Sequence, residues 1–545
     1  MMKNLKNFAR LLLAMVMLVC MTTTAFAATV SFPEDDILAN HTFTAYQIFS
    51  GRQEGTVLSD IDWGTGIDRD TFLAALKADD SYGDKFTDCD SAADVAEVLG
   101  AVNPDQNALA LAVAKIAEDH VTGSGTVLTS GENTLAAGYY LVVDTTDTVL
   151  PGSAYNAALL EVVGDIEFEV KTDAPSVEKK VLEDDKYAQD GGYGKGYNDV
   201  ADYTMGETVP FRLIGAVPDM EHYDTYKYIF HDILSAGLTL NADSIKVYGA
   251  SAKDAATKDM TEIPSTYWAK DTEVEDESFT VSFTDLKTVP GIANYAYIIV
   301  EYSATLNQDA EVGLPGNPNT VYLEYSNKPD QSGAGDNETG KTPVDKVIVF
   351  TYELDTTKID GATKDEENPT ELAGARFVLY RSEGETELYA QVNAAGKVIG
   401  WDEATTDGET VTYPAGSTLT SDGNGLFKVV GLDDGTYYLK EIAAPTGYNM
   451  ITEPIEVVID AETDNGQNWT NGEPGSALIA LDVTADNEAG TGNTGTGIAS
   501  ITVVNNSGAI LPETGGIGTT IFYALGAALM IGAGVLLVTK KRMSE

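Results

Sequence analysis

Cysteine is nearly absent. Of the two in the chain, Cys20 and Cys89, the first lies in an apolar leader, so the mature protein has one thiol and no intrachain disulfide. If the chain is exported, its stability must come from elsewhere. Basic residues are also few: 33 Lys and Arg against 85 Asp and Glu give a formal charge of −52. No basic stripe is available to neutralise phosphate, which excludes nucleic acid as a partner. The four histidines, at 41, 120, 222 and 231, show no metal-ligand spacing such as H-E-x-x-H, and no metal or cofactor is expected. GGYGKGY (191–197) lacks the Lys-Ser/Thr ending of a phosphate loop, and SDGNG (421–425) lacks the acidic residue that completes a calcium loop. SDGNG reads as a hairpin turn. Helix-period runs are scarce, whereas alternating runs and Asp-Gly turns recur, so the expected fold is mostly β, with tandem antiparallel sandwiches.

Long apolar runs occur only at the two ends. Lys3, Lys6 and Arg10 precede the apolar stretch 11–20, and Ala25-Phe26-Ala27 forms a small-x-small cleavage site, the pattern of a secretory signal peptide over 1–27. Val19 stands before Cys20 where a lipoprotein site carries Gly or Ala. At the other end, Leu511-Pro512-Glu513-Thr514-Gly515 precedes an apolar run from about Thr519 to Val538 and then Lys540-Lys541-Arg542. That run is long enough to span a bilayer as a helix. The cations behind it remain cytoplasmic, which leaves the bulk of the chain outside. In this order the tail resembles the sorting signal of Gram-positive surface proteins. The resemblance implies that a membrane sortase cuts between Thr514 and Gly515 and passes the Thr carbonyl to an amine.

Between the ends, composition shifts suggest three units: 28–173, 174–342 and 343–508, followed by the sorting signal with its transmembrane helix at 509–545. The first unit reads as a β-sandwich with helical insertions. HTFTAYQIFSG (41–51) and AGYYLVVDTT (137–146) alternate as strands; TFLAALKA (71–78), DVAEVLGAV (94–102) and NALALAVAKIAEDH (107–120) carry helical periodicity. QSGAGDNETGKTP (331–343) reads as a linker, and GTGNTGTG (490–497) as a loose loop. VIVFTYELDTTKID (347–360) is expected to open the third unit.

Polar residues stand on strand faces that are otherwise apolar. Side chains alternate across a strand. In the middle unit one face holds Val177, Lys179 and Val181, another Tyr226, Tyr228, Phe230 and Asp232, and a third Val321, Leu323, Tyr325 and Asn327. In the third unit Tyr437 and Leu439 lead to Glu441, Ile501 and Val503 lead to Asn505, and Lys358 ends VFTYELDTTK. A lone charge buried on such a face is costly. Lys180 and Asn506, the neighbours, should point outward.

YYLKEIAAPTGYN (437–449) resembles the E-box of Gram-positive backbone pilins, within what looks like a collagen-adhesin B-type domain. HDILSAGLTL (231–240) and VYLEYSNKP (321–329) resemble the middle domain of the same pilins. The resemblance covers essentially the whole chain. It implies autocatalytic Lys–Asn isopeptide bonds promoted by a buried acid: Lys179–Asn327 with Asp232, and Lys358–Asn505 with Glu441. GYYLVVD (138–144) echoes GTYYLKE (435–441), but Val143 falls opposite Glu441, so no bond of this kind is expected in the first unit.

The resemblance further implies a covalent homopolymer, with Thr514 of one subunit joined by sortase to a lysine of the next. Lys171, on the outward face of IEFEVK (166–171), occupies the expected place, but its context E-V-K departs from the usual V-Y-P-K. Lys186 and Lys195 compete. Implied partners are sortase, identical subunits, minor pilins, peptidoglycan and a host ligand. The alternative is a monomeric wall-anchored adhesin that binds a host or matrix ligand. No catalytic constellation other than the self-processing triads is legible, so an enzyme is not expected.

Overall fold

A computed structural model describes residues 27–508, except 33–40, 55–56, 101–105, 147–150, 155–156, 163–165, 168–173, 184–195, 221–222, 329–338, 409 and 464–476, together with parts of a helix within 525–533. The leader up to residue 26, the LPETG motif, most of the C-terminal apolar run, and Lys171, Lys186 and Lys195 lie outside the described residues. Among the described residues no helix is long and apolar enough to cross a membrane. The chain is mostly β.

Three hydrophobic clusters dominate the interior. The N-terminal one lies between a sheet and four helices. Strand Phe43–Glu54 pairs with Val57–Trp63 on one side and with Gly138–Asp144, then Ala157–Val162, on the other. Helices Arg69–Ala78, Gly83–Phe86, Ala92–Gly100 and Gln106–Glu118 are interposed between its strands in sequence. Phe72, Leu76, Phe86, Val95, Leu109 and Val113 project from those helices into a cluster shared with Ile48, Phe49 and Leu141. Helical periodicity places these apolar residues on one stripe. Asp68 caps the first helix by accepting a bond from the Thr71 N–H at 3.3 Å, which satisfies one of the donors a helix start leaves open. Cys89 is buried in this cluster.

The middle unit is a sandwich of two sheets. One runs Tyr197–Asn198, Val177–Leu182, Thr208–Ala216, Tyr297–Leu306, Lys246–Ala250 and Thr261–Glu262. The other runs Val200–Asp202, Asp345–Phe350, Asn317–Ser326, Tyr228–Leu234, Phe279–Phe283 and Ala269–Asp271. Tyr226, Tyr228, Phe230, Phe211, Phe279 and Tyr302 fill the space between the two faces. Each aromatic of this size contributes several kcal/mol of burial, roughly 3–5 kcal/mol if truncated to Ala.

The C-terminal unit pairs Tyr352–Asp360 in parallel with Ile498–Asn505 and antiparallel with Leu426–Leu432. A larger sheet centred on Arg376–Glu383, Gly435–Ala443 and Ile455–Thr463 packs against it.

Three local expectations differ from the structure. The run 347–360 is not one strand. Asp345–Phe350 pairs with Asn317–Ser326 of the middle unit, and the C-terminal unit begins with Tyr352–Asp360. The strand-like pattern continues through Thr351 with no Gly or Pro to mark where the chain changes sheets. Within the expected linker, Thr339–Lys341 pairs with Glu324–Ser326. The segment 490–497 is a packed hairpin, because Thr491–Asn493 pairs with Ile498–Ser500. A Cβ on Gly492 would come within 1.6 Å of the Leu481 carbonyl oxygen, so the glycine there permits close backbone approach rather than looseness.

Candidate functional site

In the middle unit, Lys179 projects from Val177–Leu182 into the aromatic interior with 0% exposure, and its Nζ bonds to Asp232, which is equally buried. The aliphatic neighbours on the same strand, Val177 and Val181, carry this face inward and take the lysine with them. The ammonium lies 5.9 Å from the Phe211 ring centre and 5.5 Å from that of Tyr302. The Thr320 carbonyl accepts a further bond from Nζ at 3.2 Å. Asp345 accepts the Lys179 backbone N–H at 2.6 Å, which fixes the strand.

Desolvation brings the Lys179 pKa down to about 8, against the attraction of Asp232. The same desolvation pushes the Asp232 carboxyl up, with Lys179 and Tyr302 opposing it. Both directions move the pair away from an ion pair and toward a neutral amine beside a protonated acid, because burial removes the solvent that would stabilise either charge.

The asparagine at this centre is Asn319. Its Nδ2 donates to the Tyr302 hydroxyl at 2.8 Å, and that hydroxyl donates to Asp232 Oδ2 at 2.8 Å. The expected Asn327 is not brought there. Asp232 stands opposite Val321 across the strand pair, and Asn327 is six positions further along, about 20 Å at the rise of a strand. Asn327 is instead buried near the Thr339–Lys341 hairpin, where a Cβ on Gly340 would come within 3.1 Å of its Nδ2. Asn319 and Asn327 have the same parity, so alternation alone could not choose between them. The register of Asp232 against the strand decides.

Lys180 is a second correction. It is buried rather than outward, with its Nζ 2.6 Å from Asp199 Oδ1. The sheet's outer face is covered there, and an ion pair compensates the burial. Desolvation takes its pKa down to about 8 as well.

The C-terminal unit assembles its three predicted residues. Lys358 is fully buried and donates to the Val503 carbonyl at 3.0 Å. In the parallel register it stands opposite Val503, two residues before Asn505 on the neighbouring strand. Asn505 Nδ2 donates to Glu441 Oε2 at 3.1 Å and also to the Asn449 carbonyl. Glu441 Oε2 in turn accepts the Ile451 N–H at 2.6 Å. Desolvation lowers the Lys358 pKa to about 8, opposed by the charge of Glu441. Asn506 is exposed.

The two centres share a further feature. Asp232 Oδ1 and Asn319 Oδ1 in one, and Glu441 Oε1 and Asn505 Oδ1 in the other, are buried and accept no hydrogen bond from the described residues. Buried acceptors left open are uncommon in folded proteins.

A constellation the sequence did not disclose lies in the N-terminal unit. His41 Nδ1 is 2.5 Å from Asp144 Oδ2 and its Nε2 is 2.6 Å from Ser153 Oγ. These residues are too far apart in sequence for any spacing rule to connect them.

The Gram-positive pilin backbone subunit 2, Cna-B-like domain matches residues 205–329, the prealbumin-like fold domain matches 357–473, and the LPXTG cell wall anchor motif matches 503–545. The Trypsin-resistant surface T6 protein of Streptococcus pyogenes serotype M6 is 26% identical over 396 residues. The matched stretch covers 62% of this chain and 65% of that relative. The solved T6 backbone pilin of serotype M6 Streptococcus pyogenes superposes with a TM-score of 0.51 at 18% identity, covering 89% of this chain and all of that one, and shares the fold.

Proposed function

We propose, from a chain built of pilin-type β-domains and a cell-wall anchor motif, that it is the repeating shaft subunit of a covalent pilus on the outer face of a Gram-positive wall. The observation that carries this reading is the succession of a pilin-backbone domain, a prealbumin-like domain and an LPXTG anchor in one polypeptide. The role is structural, and no catalytic turnover is assigned to it. Sortase joins Thr514 of one subunit to Lys171 of the next and finally transfers the polymer to peptidoglycan, with minor pilins at its ends.

Two internal isopeptide bonds stabilise each subunit in this reading: Lys179–Asn319 promoted by Asp232, and Lys358–Asn505 promoted by Glu441. The neutral lysine Nζ attacks the asparagine Cγ, the acid shuttles protons to the amide nitrogen, and ammonia leaves. The open oxygens support this chemistry, since a proton on the acid gives it a donor for the asparagine carbonyl. Tyr302 acts as a positioning residue, holding Asn319 and Asp232 together. Tyr302→Phe is expected to slow bond closure in the middle domain without preventing it, so that freshly folded protein contains unbonded and bonded species separated by about 17 Da, the mass of ammonia. Immediate full closure in that variant would remove Tyr302 from the account.

The polymer is tested by expressing the full chain with its sortase and separating wall extracts under denaturing conditions. Wild type is expected to give a ladder of multimers and Lys171→Arg only monomer, with the two internal bonds intact by mass. An unchanged ladder would transfer the role to Lys186 or Lys195. Monomer alone in wild type would favour an anchored adhesin that binds a host or matrix ligand as a single subunit.

A further inference from the structure

Ser153, His41 and Asp144 form a connected chain of short polar contacts, at 2.6 Å and 2.5 Å, where the N-terminal unit meets the middle one. Each component is fixed separately. Asp144 Oδ1 accepts from the Thr146 N–H at 3.2 Å and the Thr146 hydroxyl at 2.6 Å, leaving Oδ2 for the imidazole. The His41 ring stacks on Phe43 at 6.0 Å, and its side chain is 1% exposed. With the carboxylate facing Nδ1, that nitrogen carries the proton and Nε2 is left as an acceptor for the Ser153 hydroxyl.

The middle domain completes the setting. The Tyr325 hydroxyl donates to the Ser153 carbonyl at 2.9 Å, and the Gly152 N–H donates to the Lys341 carbonyl at 2.8 Å. These two bonds hold the backbone on either side of the serine. Pro151 and Gly152 are exposed and Ser153 is half-buried. A base shielded from water and bonded to a serine hydroxyl is the arrangement that activates a serine.

We propose that Ser153 is an activated nucleophile that accepts one acyl or phosphonyl group from a small electrophile, an ester of a short carboxylic acid being the corresponding substrate class. This activity goes beyond the structural role and does not depend on it. In the step, Ser153 Oγ forms a bond to the carbonyl carbon and its proton passes to His41 Nε2. The ester C–O bond breaks, and the departing alkoxide takes that proton. Asp144 orients the imidazole and balances its positive charge while the proton is held there. The product is an acyl-serine, one per chain.

The purified ectodomain is to be treated with a fluorophosphonate, in which Oγ–P forms as P–F breaks and fluoride leaves, and the adduct located by peptide mass. Wild type is expected to label at Ser153 at least ten-fold faster than at any other serine. Labelling at that position disappears in Ser153→Ala and falls by at least ten-fold in His41→Gln and Asp144→Asn. Near-ultraviolet circular dichroism establishes that each variant is folded. Tyr325→Phe, which leaves the triad intact, is expected to reduce the rate less than the triad variants do. Two results overturn the proposal, the first independent of any variant: no preferential adduct on Ser153 in wild type, or an unchanged rate in a folded His41→Gln protein.

Discussion

Asn319→Ala is expected to return one ammonia to the mass of the ectodomain, reducing a deficit of about 34 Da to about 17 Da, whereas Asn327→Ala leaves the full deficit. The two substitutions remove the same side chain, one from within Asn317–Ser326 and one just past its end, and they differ in distance from the amine. Asn319 shares the Tyr302 hydroxyl with Asp232, the acid bonded to Lys179. Asn327 lies beyond Tyr325, which pairs with Tyr228 rather than with anything near the lysine. The stability difference should be large. A cross-link closing a loop of roughly 140 residues restricts the unfolded chain by an amount on the order of 4–5 kcal/mol. For a domain of this size that corresponds to a fall in Tm on the order of 10 °C or more. Asn319→Ala also leaves Lys179 and Asp232 buried without the covalent product, which adds to the loss. A full deficit in Asn319→Ala would sink the assignment.

Asn505→Ala is expected to make the stability of the C-terminal domain depend on alkaline pH in a way the bonded protein's does not. Without its partner, Lys358 remains a titratable amine with a folded-state pKa of about 8 against an ordinary 10.5. Its folded pKa is depressed, so between these two values the unfolded chain binds a proton that the folded chain does not. Stability therefore rises with pH across that window, and the penalty is fully present below about 8. The shift corresponds to about 3 kcal/mol between the ends of the window. In the bonded protein the same nitrogen is an amide and contributes nothing. Urea unfolding of both proteins at pH values across the window isolates the term as a difference, since every other group titrates in both. Equal pH slopes would mean either that Lys358 is free in wild type or that its burial is relieved in the variant. The ammonia deficit of the wild type separates those two outcomes.

Both predictions depend on burial without solvent. The lysine pKa values are lowered because the residues around them are apolar: Phe211 and Tyr302 against Lys179, and the parallel strand carrying Ile501 and Val503 beside Lys358. In water each amine would keep its ordinary pKa of about 10.4, with a far smaller neutral fraction at the same pH. The sandwich thus provides the fold and also the medium in which the chemistry can occur.

Much of this was legible in the chain itself. A period of two marks the strands, a period near 3.6 marks the helices at 71–78, 94–102 and 107–120, and the order of LPETG, apolar run and cations marks the anchor. The amine and acid of each centre were also readable, because a charged residue on an apolar face stands out against its neighbours: Lys179 between Val177 and Val181, Asp232 after Phe230, Glu441 after Leu439. Alternation gives the face of a residue but not its position along the partner strand. That is why Asn319 and Asn327 were equivalent in face although they lie eight residues apart along the chain. Nor could alternation anticipate that the outer face carrying Lys180 is itself covered, with Asp199 arriving from the bend between Tyr197–Asn198 and Val200–Asp202. The Ser153–His41–Asp144 contacts have no sequence signature, because they join a strand start, a strand end and a loop that only the folded sheet brings together. Local pattern determined the elements, the compartment and the reactive residue types. Register and sheet packing, set by contacts between strands distant in sequence, determined which of those residues meet.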